Sequence, residues 1–166
     1  PEVAQLNRTY HYPATGRIAN QLETLAAVGM LTGAGSPDTA PRLPDHANPY
    51  HSTEQRARAW LHANCANCHR PGGPTPSAMD LRYTEPLAIA TTRTCDVVPQ
   101  SGTLGIAGAR LVAPGDPARS VLLQRVTRRD AHAMPPLASS LADAAGAAVL
   151  RDWILALPAC ETAACH

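Results

Sequence analysis

The chain has 166 residues, with 14 basic and 13 acidic side chains and a net charge of +1 when its histidines are neutral. That balance excludes the basic footprint of a nucleic-acid binder and the cationic face that anionic membranes attract. Hydrophobic residues reach 45%, yet aromatics are only 4% and phenylalanine is absent, so a core this poor in rings has room for a large, flat, apolar cofactor. No apolar run approaches the ~20 residues of a membrane-spanning helix.

In chain order, residues 1–15 read as irregular. Ile18, Leu22, Leu25 and Val28 recur at helical spacing and predict one amphipathic helix over Arg17–Leu31, ended by Gly33 and Gly35. Pro37, Pro41, Pro44 and Pro49 then mark an extended connector. Residues 1–50 are therefore taken as an N-terminal extension, and residues 51–166 as the main domain. A helix capped by Ser52 or Thr53 runs through Ala57, Trp60 and Leu61 into Cys65, and Arg70-Pro71-Gly72-Gly73-Pro74 cannot continue it. A short helix is expected after Thr84 or Glu85, with Pro86 in its first turn. Residues 95–113 are glycine-rich and read as irregular. Asp116 is expected to cap a further helix with Pro117 at its first position, carrying Val121, Leu122, Arg125 and Val126. Arg128–Ser140 forms a loop around Met134-Pro135-Pro136. The last helix begins near Asp143 and reaches Leu157, with Ala147, Leu150, Trp153 and Ile154 as its apolar stripe. The pattern predicts an all-α fold of helices joined by long loops.

The densest chemical signal is Cys65-Ala66-Asn67-Cys68-His69. A C-x-x-C-H run is a haem attachment pattern: two thiols at this spacing can add to the two vinyl groups of one haem, and the next residue then lies under the iron. The same thiols suit a disulfide, a redox pair or half a zinc site. A thioredoxin-type pair gains its reactivity from a helix N-terminus, whereas this one arrives at a helix end. His62, Cys65, Cys68 and His69 together are zinc-type donors, but adjacent Cys68 and His69 would strain one tetrahedral site. Haem c is the expected cofactor. His69 is the expected proximal ligand, its other ring nitrogen donating to the carbonyl of Pro71 or a neighbour.

For the sixth ligand the sequence offers Met30, Met79, Met134 and the remaining histidines. Met134 is favoured because two following prolines stiffen its loop. His132 is the nearest rival, Met79 reads as packing, and Met30 as part of the extension's core. Arg93, Arg110, Arg125 and Arg128 are possible partners for haem propionates. Cys95, Cys160 and Cys165 remain after haem attachment, and Cys95–Cys160 is preferred over Cys160–Cys165 as a disulfide.

These residues carry a family resemblance. Cys-Ala-Asn-Cys-His behind a helix, Met134-Pro135-Pro136-Leu137, and a closing helix with Trp153 resemble a class I c-type cytochrome domain over about residues 50–160. The phrases Cys68-His69-Arg70-Pro71-Gly72-Gly73-Pro74 and Met134-Pro135-Pro136-Leu137 are similar to monohaem modules of exported bacterial proteins, some appended to quinoprotein dehydrogenase-like domains. The resemblance implies a cytochrome c-like fold wrapped around one covalent haem. It implies thioethers at Cys65 and Cys68, and His69 and Met134 on iron. It also implies that the region Ala57–Leu61 lies against Trp153. The glycine- and proline-rich stretch at residues 92–116 departs from the family and has no assigned role.

Histidine and thioether ligation suits one-electron transfer. The expectation is an electron carrier, not itself an enzyme, relaying electrons from an exported dehydrogenase to a respiratory acceptor through transient redox partners. The alternative is a sensor or catalytic haem whose sixth ligand exchanges. A chain opening on Pro1 is expected to be a piece of a longer exported, periplasmic protein.

Overall fold

The computed structural model describes residues 2–33, 35–84, 87–137 and 139–160. They form two units, Pro1–Pro44 and Asp45–His166.

The first unit holds α1 (Val3–Leu6), β1 (Thr9–Tyr12), β2 (Arg17–Asn20) and α2 (Gln21–Ala27). The two strands are antiparallel, with Tyr10 opposite Ala19 and His11 opposite Ile18. This corrects the single helix expected over Arg17–Leu31: its first four residues are a strand, and only Gln21–Ala27 is helical. The reason is local. Gly16, at φ +67°, closes a turn in which its N–H and that of Thr15 donate to the Tyr12 carbonyl at 2.9 and 3.1 Å. That turn offers β1 as a partner to a segment whose Ile18 is β-branched. Asn20 then starts α2, its side chain accepting the Leu22 N–H at 2.8 Å. Gly29, at φ +75°, ends the helix before Gly33 is reached.

Asn7, 1% exposed, organises this unit. Its Nδ2 donates to the carbonyls of Pro37 and Ala40 at 2.9 and 3.0 Å, and its Oδ1 accepts from Asn20 at 2.9 Å. One buried amide thus ties the connector, otherwise without regular structure, to the strand end.

The second unit holds α3 (Thr53–Cys65), a 3₁₀ turn (Ile89–Thr92), α4 (Val121–Val126) and α5 (Ala144–Ala156). Ser52 and Gln55 form a reciprocal box at the start of α3, Ser52 Oγ accepting at 3.1 Å and Gln55 Oε1 at 3.0 Å. Asp143 starts α5: its Oδ1 accepts the Gly146 N–H at 2.9 Å while its Oδ2 accepts Trp60 Nε1–H at 2.7 Å. A Cβ on Gly146 would stand 2.0 Å from Trp60 Nε1, so glycine alone permits this approach of α3 to α5. Ala57, Trp60, Leu61, Leu150, Trp153 and Ile154 close the core between the two helices, joined by Val112, Leu123 and Val126. The region Ala57–Leu61 accordingly belongs to the same core as Trp153. Arg58 is buried within α3 and donates to the Ala88 and Arg82 carbonyls at 3.2 Å each, tying α3 to two points of the chain before the 3₁₀ turn.

Helix α4 starts later than Asp116 predicts. Asp116 instead closes a turn, accepting from the Arg119 N–H at 3.1 Å and from Arg119 Nε at 2.7 Å. Arg110 N–H donates to the Arg119 carbonyl at 2.9 Å and the Val121 N–H to the Arg110 carbonyl at 2.8 Å. Backbone groups committed to this pairing cannot join a helix, so helix begins only at Val121. The same pairing, with a bridge between Cys95 and Val112, gives order to residues 95–113, which read as irregular. Cys95 and Cys160 are joined in a disulfide, their Cα atoms 5.9 Å apart; Cys165 lies outside the described residues. The start of the short helix expected after Thr84 or Glu85 falls on Glu85 and Pro86, also outside them; the described residues that follow hold the 3₁₀ turn Ile89–Thr92.

The all-α, cytochrome c-like expectation is therefore corrected. The described residues contain five α-helices, one 3₁₀ turn and a two-stranded antiparallel sheet, and much of the chain is loop. None of these helices is long and apolar enough to cross a membrane.

Candidate functional site

The end of α3 builds the first wall of a cleft. Cys65 is the last helical residue, and the chain turns immediately: the N–H groups of Cys68 and His69 both donate to the Cys65 carbonyl, at 3.1 and 2.8 Å. The Pro71–Pro74 segment then folds back tightly. Thr75 Oγ1 donates to the Cys68 carbonyl at 3.2 Å, and a Cβ on Gly73 would stand 2.3 Å from that same oxygen. Glycine at 73 is thus what lets the C-x-x-C-H turn close. The His69 carbonyl accepts the Leu81 N–H at 2.9 Å, which brings Met79 and Leu81 alongside.

Cys65, Cys68, His69 and Met134 all line this cleft, whose volume is about 260 Å³. The four come from two segments far apart in sequence. Leu122 and Val126 of α4, with Met79, Leu81 and Pro135, make the lining largely apolar. Gln100 and Ser101 reach it from the segment that had no assigned role. Sequence reasoning missed this pair, since its placement depends on the pairing of residues 95–97 with 111–112 rather than on any local pattern.

Both cleft thiols are free. Burial, with the Cys68 thiol beside it, pushes the Cys65 thiol up to about 12. A thiol so held is protonated at neutral pH and is not the activated thiolate of a redox pair. Burial lowers the His69 imidazole below its ordinary value, which keeps it neutral and able to present a lone pair. Its Nδ1 is buried with no hydrogen-bond partner among the described residues, so the expected bond to the Pro71 carbonyl is not formed.

The other candidates separate clearly. His132 is exposed and does not line the cleft; Met30 is 76% exposed in the first unit, so it is not core there. Met79 packs against the core and also reaches the cleft. Arg110 pairs with Asp96 at 2.8 Å and Arg128 with Asp130 at 3.1 Å, while Arg93 is exposed at the end of the 3₁₀ turn. Of the four arginines considered, Arg125 is the one on the cleft. The zinc arrangement is not formed: His62 Nδ1 accepts the Tyr83 N–H at 2.8 Å, and among the described residues no three His, Cys, Asp or Glu side chains converge on a metal position.

The residues present fit a covalently held haem. Two free thiols sit at the attachment spacing, a histidine held neutral by burial follows them, and a thioether reaches the same apolar cleft from a different loop. Comparison with family models, with curated proteins and with solved structures finds no match.

Proposed function

We propose that this chain is a c-type electron-transfer protein, whose one haem c would be bound through Cys65 and Cys68 and its iron held by His69 and Met134. One observation carries the reading: Met134, singled out by the proline chemistry of its loop, lines the same apolar cleft as the C-x-x-C-H turn. Each thiol would attach by adding its S–H across a vinyl double bond. Haem bound in this way supplies a one-electron iron couple, whose potential a thioether ligand raises.

The remaining work falls to the chain. The turn after α3 holds the two sulfurs and His69 in one short segment, so attachment and proximal ligation come from the same rigid element. Leu81, Leu122, Val126 and Pro135 exclude water from the cleft and lower its dielectric. With His69 and Met134 both holding the iron, no site would be open to oxygen or peroxide, and the protein would pass single electrons.

The disulfide between Cys95 and Cys160 suits an oxidising compartment, and the periplasm is the proposed location. The partners are redox proteins, an exported dehydrogenase on one side and a respiratory acceptor on the other. Contacts of this kind are brief and bury less than ~1,200 Å², and a net charge of +1 gives little electrostatic steering.

The test is the ferric spectrum of the matured protein and of M134A. A sulfur-to-iron charge-transfer band near the red end, present in the parent and lost in M134A, is the expected result. High-spin ferric iron without that band in the parent would instead establish the alternative, a sensor or catalytic haem with an exchangeable sixth site.

A further inference from the structure

Arg125 lies on α4 with its side chain on the cleft, and its hydrogen bonds run to the loop that carries Met134. Its own carbonyl accepts the Met134 N–H at 3.0 Å. Its guanidinium donates from Nη1 to the His132 carbonyl at 3.2 Å, and from Nη2 to the Ser101 carbonyl at 2.8 Å. The same arginine therefore grips the loop at Met134 and again two residues before it. It also ties that loop to the segment bearing Gln100 and Ser101, which forms another part of the cleft wall.

The rest of the loop explains why such a grip matters. After Met134, two prolines restrict the backbone. Before it, the chain is shaped by a turn at Asp130, whose Oδ1 accepts the His132 N–H at 2.9 Å and whose carbonyl accepts the Ala133 N–H at 3.0 Å. That turn sets the local shape but does not fasten the loop to α4. Arg125 does so. Arg110 and Arg128 are each paired with an aspartate, whereas the guanidinium of Arg125 donates to carbonyl oxygens. Its charge is directed into backbone dipoles of two separate segments, and a planar fork is the side chain that can serve two carbonyls at once.

We propose that Arg125 is a positioning residue for the Met134 thioether, fixing the loop on α4 so that the sulfur would be presented to the iron that His69 would also hold. This inference rests on the haem reading above. It assigns Arg125 a structural grip on the ligand loop in place of the propionate contact considered from the sequence.

The test uses the full chain, matured with haem, as parent, R125A, R125K and R128A. Pyridine haemochrome first establishes covalent haem in each. R125A is then expected to weaken the sulfur-to-iron band and to bind added imidazole about tenfold more tightly, the order of change when hydrogen bonds from a charged donor are lost. R125K, which keeps the charge without the fork, should lie between R125A and the parent. R128A should match the parent. An R125A protein with the parent's band and imidazole affinity overturns the proposal, whatever its thermal midpoint. Should R125A fail to fold, R125Q, which retains a neutral donor, serves for the same comparison and the same refutation. A parent with covalent haem but no sulfur-to-iron band overturns the assignment of Arg125 while leaving haem attachment intact. A parent without covalent haem overturns both.

Discussion

Replacing Gly146 by alanine sets two effects of known size against each other. Alanine inside a helix is favoured over glycine by about 1 kcal/mol. Against this, the new methyl would stand 2.0 Å from Trp60 Nε1, 2.4 Å from Trp60 Cε2 and 2.7 Å from Asp143 Oδ2. Trp60 is 5% exposed and belongs to the packed core, so its ring has little room to retreat. Overpacking in such a place costs about 1–3 kcal/mol. Displacing the indole also breaks its 2.7 Å bond to Asp143, a further loss of about 1.5–3 kcal/mol for a charged acceptor. The clash outweighs the propensity, and G146A should be destabilised by about 1.5–5 kcal/mol, or several degrees or more in midpoint for a chain of this length. Urea unfolding followed by tryptophan fluorescence is the assay, because both tryptophans, Trp60 and Trp153, sit in the core between α3 and α5. In a W60L background most of that cost should disappear, since two of the three atoms the methyl strikes are gone and only Asp143 Oδ2 remains. A G146A protein as stable as the parent, or more stable, refutes the packing argument.

Other consequences are equally direct. The Asp143 carboxyl is held below its ordinary value, first by the Gly146 N–H and also by the Trp60 indole; its stabilisation is therefore present above the ordinary carboxylate range and fades as pH falls through the lowered value. D143A removes both the cap and the indole's acceptor, and should cost about 2–4 kcal/mol at neutral pH and flatten the acid limb of a stability profile; an unchanged acid limb would contradict this. N7L leaves the Pro37 and Ala40 carbonyls without their buried donor, a loss of about 1–3 kcal/mol, read as faster amide hydrogen exchange across residues 2–43. The disulfide closes a separation of 65 residues, so C95S with C160S should lower stability by about 4 kcal/mol in the chain-entropy limit, measured by urea midpoint; no shift would show that the link constrains little.

The legible parts of this fold are those written locally. Ser52 with Gln55, and Asp143 before an apolar stripe that stops at Pro158, announce α3 and α5 because caps and breakers act within a turn or two. The hairpin was concealed, since Ile18, Leu22, Leu25 and Val28 keep helical spacing while the first of them pairs with a strand that the spacing does not mention. Similarly, Asp116-Pro117 reads as a helix start until Arg110 claims the backbone of residues 119–121. The site divides the same way. Cys65, Cys68 and His69 are contiguous, and Met134 is marked by its prolines. Gln100, Ser101 and the grip of Arg125 depend on contacts between segments distant in sequence, which no local pattern encodes.

The central claim is that one haem is bonded to the sulfurs of Cys65 and Cys68. Intact mass of the chain matured alongside haem-attachment machinery, after acid-acetone extraction, tests it most directly. The account predicts the added mass of one haem on the parent chain and none on a C65S C68S variant; a parent at its bare polypeptide mass would contradict it.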